Sequence, residues 1–272
     1  NEVNIMDYEY SLVINGTTRL YDAHVPSSYN SSIKTPLILG YHGLTGDKDQ
    51  MASAYGLPGK SDKEGFIMLF LNGISKSWNA GKCCGTAASQ NVDDVGFTKA
   101  VIADIKTKFN IDSSKIFAVG MSNGGMMVYR LACEMPDVFA AVGSVSGTDN
   151  TNTCTPSKPI SIMHIHSLID PLVTFNGGSG MTSVPATISK WVTLNNLNPV
   201  PTKVVLTNGA YSELYTGNGN IRIKLWVTDD GGHSWPGTAL GSKDIIANDE
   251  LWNFFKSVEP TCPQIIIKFD VT

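Results

Sequence analysis

The chain has 272 residues, 42% of them apolar and only 16% charged, with a formal net charge of −4. That length allows one or two domains and a large core, so disorder is excluded for the bulk of the chain. No apolar run approaches the roughly 20 residues that cross a bilayer, and no basic stripe marks a nucleic-acid binder. Low charge with abundant Asn, Ser, Thr and Gly leans toward a secreted hydrolase.

The segments Tyr8 to Ile14 and Arg19 to Val25 alternate apolar and polar residues around Asn15-Gly16, which predicts an antiparallel hairpin. Short continuous apolar runs follow at Pro36 to Tyr41, Phe66 to Leu71, Lys115 to Val119, Phe139 to Ser146 and Ile160 to His166. Runs of this kind are strands buried on both faces, as in parallel sheets. Between them the pattern predicts helices over Val92 to Phe109, Gly124 to Met135, Val184 to Leu194 and Asp244 to Phe255. Strands are also expected at Val204 to Leu206, Tyr211 to Tyr215 and Ile221 to Val227. Strands alternating with helices imply crossover units and a mostly parallel sheet. With no repeat and no long linker, one domain over residues 1–272 is the economical reading.

The sequence Ile116-Phe-Ala-Val-Gly-Met-Ser-Asn-Gly-Gly125 contains G-x-S-x-G between a buried strand and a helix. A tight turn there lifts the Ser122 hydroxyl above the sheet, and the helix N-terminus favours an oxyanion beside it. A serine nucleophile needs a base, and the expected chain order is Ser, acid, His. His233 lies in a glycine loop after the last strong strand, and Asp170 lies in the loop after the run from Ile160. Asp149 and Asp229 compete with Asp170 for the acid role. The loop Tyr41-His-Gly-Leu-Thr-Gly46 occupies the position that supplies a second oxyanion amide, so the backbone N–H groups of Leu44 and Asn123 are the expected donors. His164 and His166 share one strand face, a metal-like pattern. With no third ligand at useful spacing, core hydrogen bonding is the commoner explanation, and no metal or organic cofactor is expected. His24 reads as a surface strand residue.

The chain begins at Asn1 without a charged-then-apolar leader, which a removed signal peptide or a trimmed chain would both explain. Asn15 and Asn30 lie in glycosylation sequons. Five cysteines (Cys83, Cys84, Cys133, Cys154, Cys262) are an odd number, so at least one is unpaired within the chain. No paired C-x-x-C spacing supports zinc. Adjacent Cys83 and Cys84 are too constrained to bond comfortably to each other and are expected to look elsewhere. The alternative is five buried reduced thiols in a cytosolic enzyme.

Several stretches together resemble the family-one carbohydrate esterases and the polyhydroxybutyrate-depolymerase-like esterases. They are Tyr41-His-Gly, Ser77-Trp-Asn-Ala-Gly-Lys-Cys-Cys-Gly85, Val92-Asp-Asp-Val-Gly-Phe97, Gly120-Met-Ser-Asn-Gly-Gly-Met-Met, Arg130-Leu-Ala-Cys-Glu134, His164-Ile-His, Asp170-Pro and Gly232-His-Ser-Trp-Pro-Gly237. They run in order from about residue 36 to 256 and so cover most of the chain. The resemblance implies an α/β-hydrolase fold with a mostly parallel central sheet flanked by helices. It implies Ser122, Asp170 and His233 as catalytic residues, and Trp78 and Trp235 beside the substrate. It further implies a secreted, extracellular esterase acting on plant polysaccharide, with feruloyl ahead of acetylxylan esters and polyester third. A monomer without nucleic-acid or membrane partners is expected. Where relatives often carry a cysteine, this chain has Leu197, so disulfides cannot be copied across. Cys133 near a helix end and Cys154 before the next strand should share the sheet end away from the site, which makes them the preferred pair. A carbohydrate-binding protein on an inactive scaffold is the non-enzyme alternative, but it would be expected to lack a triad residue or an elbow glycine.

Overall fold

The computed structural model describes residues 6–258, so Cys262 lies outside the described residues. The predicted hairpin is β1 (Met6–Ile14) and β2 (Thr17–Val25), paired antiparallel with Ile14 opposite Thr17. Asn15 and Gly16 sit at φ 49° and 78°, the left-handed conformation at both turn positions that a type I′ hairpin requires.

The apolar runs become β3 (Thr35–Tyr41), β4 (Ile67–Leu71), β5 (Ile111–Met121), β6 (Ala141–Val145) and β7 (Ser161–Ser167). The late region becomes β8 (Thr202–Val205), β9 (Tyr211–Thr216) and β10 (Arg222–Thr228). These strands form one sheet in the order β1-β2-β4-β3-β5-β6-β7-β10-β9-β8. The six central strands, β4 to β10 in that order, run parallel, and the pairings outside them are antiparallel.

Seven α-helices accompany the sheet among the described residues: α1 (Lys48–Ala54), α2 (Leu57–Glu64), α3 (Gly85–Ser89), α4 (Asp94–Lys108), α5 (Asn123–Glu134), α6 (Val184–Leu194) and α7 (Ala247–Ser257). The last four match the sequence expectation. The first three escaped it because they are short and carry no apolar stripe: α1 buries only Lys48 and Met51, and α2 only Leu57 and Ser61. Successive strand residues point to opposite faces. Leu37, Leu39, Ala118 and Ile162 therefore pack with Val101 of α4, Leu131 of α5 and Trp191 of α6. Ile38, Phe117, Val119 and Ile165 pack on the other side with Met51, Leu57, Trp252 and Phe255. Two covered faces explain why these strands read as unbroken apolar runs.

Two expectations need correction. His24 is buried, not on the surface, because α2 lies over β2: its Nδ1 is 2.7 Å from Asp7 Oδ1 and its Nε2 is 3.0 Å from Asp62 Oδ1. Cys83 and Cys84 pair with each other, their Cα atoms only 3.0 Å apart across a cis peptide. Cys133 and Cys154 form the expected disulfide, with Cα atoms 5.5 Å apart.

Because β3, β5, β7 and β10 are parallel, their C-terminal ends lie on one sheet edge. The loops leaving that edge carry Leu44, Ser122, Asp170 and His233 respectively, at the position where open α/β sheets hold ligands.

Candidate active site

Ser122 links β5 directly to α5 with φ 53° and ψ −118°, a conformation rare for a side chain larger than hydrogen. The turn is held from both sides: Ser122 N–H donates to Val145 O at 2.8 Å, and Ser122 O accepts Met126 N–H at 2.9 Å. The two elbow glycines have a steric reason. A Cβ at position 120 would strike the Gly124 carbonyl, and one at 124 would strike the Tyr41 carbonyl at the end of β3. The start of α5 is thereby pressed against the loop that follows β3.

That loop is anchored by His42. Gly73 N–H donates to His42 Nε2 at 2.9 Å, so Nδ1 carries the proton and donates to Gly43 O at 2.8 Å. Burial pushes the imidazole below its ordinary pKa, which keeps it neutral in this role. Leu44 follows, and its N–H has no hydrogen-bond partner among the described residues. Asn123 opens α5, so its N–H belongs to the first turn and has no acceptor within the helix. Both candidate oxyanion donors thus belong to residues that line the same cleft as Ser122.

The side chain of Asn123 is clamped to the backbone of Trp78: Oδ1 accepts Trp78 N–H at 2.7 Å and Nδ2 donates to Trp78 O at 3.0 Å. One residue on, Asn79 N–H donates to Asp94 Oδ2 at 2.8 Å, and Arg19 holds Asp94 Oδ1 at 2.8 Å. Asp94 is therefore more than an acidic residue in the first turn of α4. It ties the 77–84 loop, through Asn79, behind the Ser122 turn.

Across the cleft, Asp170 Oδ2 accepts from His233 Nδ1 at 2.7 Å, while Oδ1 accepts the N–H groups of Leu172 and Val173, each at 2.9 Å. Burial opposes ionisation of Asp170. The bond and charge of His233, with the two backbone donors, outweigh it and hold the carboxyl below its ordinary pKa. With Nδ1 engaged, His233 has Nε2 left for a proton-transfer partner. Ser122 and His233 line the same cleft, with no hydrogen bond between them. Such contacts often tighten only when substrate is bound. Of the competing acids, Asp149 is buried against Trp191 Nε1 and Lys190, and Asp229 is exposed beside Asp230 and Asp244, so neither bonds to His233. That acidic trio is the one metal-capable cluster among the described residues, and it excludes His164 and His166.

The cleft encloses about 650 Å³. Met126, Val173, Met181 and Cys84 make an apolar part of the lining, and Gln50 and Tyr55 add polar groups to it. Sequence reasoning missed these residues, because Gln50 and Tyr55 come from the unrecognised α1 region. The expected roles of Trp78 and Trp235 are also corrected. Their exposures are 0% and 1%, and neither lines the cleft, so their indole faces are closed to a ligand. Trp78 donates from Nε1 to His42 O at 3.0 Å, and Trp235 stacks behind Tyr55 with ring centres 4.7 Å apart. Both indoles support the walls from within.

Residues 21–204, well over half of the chain, match the family model described as esterase PHB depolymerase. The chain belongs to this family. Similar curated members include feruloyl esterase B of Piromyces equi, 29% identical over 229 residues that span 77% of this chain and 41% of that protein. Feruloyl esterase C of Emericella nidulans is 28% identical over 253 residues, 89% of this chain and 84% of that protein. The chain spans about half the length of some curated relatives, including 51% of an esterase relative from Nocardia uniformis subsp. tsuyamanensis. Among solved structures, an acetyl xylan esterase from Aspergillus awamori aligns with TM-score 0.64 at 18% identity, covering 92% of this chain and 99% of that one. A CE1 ferulic acid esterase from Anaeromyces mucronatus, in complex with ferulic acid, aligns with TM-score 0.61 at 12% identity, covering 93% and 90%. An S-formylglutathione hydrolase from Agrobacterium tumefaciens aligns with TM-score 0.63 at 12% identity, covering 95% and 97%. Likeness at this level shows the α/β-hydrolase fold of this esterase-family chain and leaves its substrate to the site.

Proposed function

We propose that the protein is a secreted serine esterase that releases hydroxycinnamate, feruloyl above all, from plant cell-wall polysaccharide. The reading takes residues 1–272 as one catalytic unit acting as a monomer. The observation that carries it is the 2.7 Å bond from His233 Nδ1 to Asp170 at the wall of a cleft that also exposes Ser122. In this mechanism His233 Nε2 takes the Ser122 proton as Oγ attacks the ester carbonyl, and Asp170 holds the imidazole tautomer and stabilises the imidazolium. The N–H groups of Leu44 and Asn123 receive the oxyanion, a contribution typically worth about 10²–10³ in rate per donor. Alcohol departs with the proton from His233. Water then repeats the sequence on the acyl-enzyme.

Cleft volume supports a large acyl group. A cavity of about 650 Å³ with thioether and aliphatic walls lies within the range that holds whole drug-sized ligands, and an acetyl group would leave most of it filled with water. The relatives named feruloyl esterase support the same substrate class. The test compares methyl ferulate, 4-nitrophenyl acetate and acetylated xylan with the native protein and with Ser122→Ala. The expected result is a higher kcat/KM on methyl ferulate, abolished in the variant. Preference for the acetyl substrates overturns the acyl assignment, and turnover by Ser122→Ala overturns the mechanism.

A further inference from the structure

Three polar side chains are buried together on the α5/α6 face of the sheet, and the acyl-transfer steps above use none of them. His164 and His166 occupy alternate positions of β7 and stack with ring centres 5.2 Å apart and planes 3° from parallel. Tyr129 of α5 reaches His164 from across the core, and all three are fully buried. Polar groups in such a place are costly unless every one is bonded. Apolar residues would serve packing alone at less cost.

The bonds form a directed chain whose protons can be assigned. His166 Nε2 lies 2.7 Å from Val173 O, an acceptor only, so Nε2 carries a proton. If His166 is neutral, its Nδ1 is then an acceptor, and His164 Nε2 donates to it at 3.0 Å. His164 Nδ1 is left to accept from the Tyr129 hydroxyl at 2.8 Å. Burial, with the mutual proximity of the two rings, holds His164 well below its ordinary pKa. Burial holds His166 down as well, partly countered by Val173 O and Asp170. Both rings are therefore neutral, as the assignment requires.

The chain ends on the loop that carries the acid. Val173 is gripped twice: its carbonyl by His166, and its N–H by Asp170 Oδ1 at 2.9 Å. His166 Nε2 also stands 3.4 Å from Asp170 Oδ2, the oxygen that faces His233. The base of this loop is also held by Leu168 N–H on Thr228 O and Ser167 Oγ on Asp230 O, while at its tip Ile169 and Leu172 are exposed to solvent. We propose that His166, oriented by His164 and Tyr129, is a positioning residue that fixes the Asp170 carboxylate against His233. The ionisable groups around the chain are Asp170 and His233 at one end and Asp149 beyond Tyr129 at the other. The inference rests on Asp170 being the acid of the proposed triad.

The test uses His166→Leu, His166→Gln and Tyr129→Phe in the full chain, with rates normalised to active sites titrated by a serine-directed phosphonate so that misfolded protein is not counted. His166→Leu is expected to lower kcat about 10- to 100-fold with KM little changed, the range typical of lost outer-shell support. It should also displace the acidic limb of the kcat/KM profile, which reports the Asp170–His233 pair. His166→Gln should recover most of the rate, since its amide offers both a donor for Val173 and an acceptor for His164. Tyr129→Phe should give a smaller fall of the same kind. A His166→Leu rate per titrated site within about twofold of the native rate, with an unmoved acidic limb, overturns the proposal. So does a His166→Gln variant no better than His166→Leu. Should His166→Leu not fold, ¹⁵N NMR of the histidines in Ser122→Ala decides without turnover. Neutral Nε2–H tautomers for both residues from about pH 5 to 8 support the chain, and a cationic or Nδ1–H His166 overturns it. Turnover retained by Ser122→Ala would instead remove the triad reading, a separate failure.

Discussion

On one side of the cleft, Ser122, Leu44 and Asn123 are set by backbone: a strained turn, two glycines pressed against carbonyls, and a side chain clamped to the Trp78 peptide. On the other side, Asp170 and His233 ride on separate loops and are brought together by side-chain bonds from different strands. The first side is held largely through backbone groups, some within the turn and others from distant loops, such as those of Tyr41 and Trp78. The second depends on partners 63 positions apart and on the buried residues beneath the Asp170 loop. Interactions made only by side chains are the easier to remove one at a time.

The largest expected effect strikes the second side. Asp170→Asn should lower kcat about 10³–10⁴-fold with the fold intact, because His233 loses the partner that sets its tautomer. Asp149→Asn, which alters a buried site that does not touch His233, should leave kcat per titrated site nearly unchanged. Equal losses in the two variants would break the distinction between the acids.

On the first side, Asn123→Ala leaves the buried N–H of Trp78 without a partner, while the Trp78 carbonyl keeps the N–H groups of Ala80 and Cys84. Unsatisfied buried groups cost about 1–3 kcal/mol each, so the midpoint of urea unfolding should fall markedly. Activity should fall less than in Asp170→Asn, by up to about 10²-fold from a displaced amide. Unchanged stability would show that the clamp on Trp78 contributes nothing.

The two sides also differ in their response to acid. His42 lies under the first side, and His164 and His166 under the second, all with lowered pKa values in the fold. An unfolded histidine titrates near 6.5, so below that pH the unfolded chain binds more protons than the folded one. Stability is thus complete above about pH 6.5 and declines as pH falls, by up to about 1.4 kcal/mol per pH unit for each histidine. Asp170, whose pKa is lowered, adds a second loss nearer its unfolded pKa of about 3.9. Tm recorded from about pH 8 down to 4 should show this decline. A flat Tm from about pH 7 to 5 would mean that the buried histidines bind protons as readily in the fold as in the unfolded chain.

The Cys133–Cys154 bridge stands away from both sides and gives the smallest effect on function. Cys133→Ser should lower stability by about 2–4 kcal/mol, as expected for a loop of this size, with kcat unaltered. A change in kcat per titrated site would tie this end of α5 to the nucleophile turn.

Much of this was legible in the residues themselves. Asn15-Gly16 specified a hairpin because only left-handed backbone completes that turn, and the parallel strands announced themselves as apolar runs because both faces are covered. Ser122 was legible because its glycines are a local steric requirement. The short helices α1 and α2 were not, since so few of their residues meet the core. His24 read as exposed because nothing in its own strand announces the helix above it. The burial of Trp78 and Trp235 escaped for the same reason, since their covering partners come from elsewhere in the chain.

By itself, then, the sequence determined the class of fold, the G-x-S-x-G turn at Ser122 and the loops after successive strands that carry Ser122, Asp170 and His233, since each is written in short-range spacing and hydrophobic period. Only the tertiary structure decided which aspartate meets His233, what lines the cleft, and that two strand histidines form a buried hydrogen-bonded chain beneath Asp170. Those outcomes depend on which distant residues the sheet order brings together, and no local pattern encodes that.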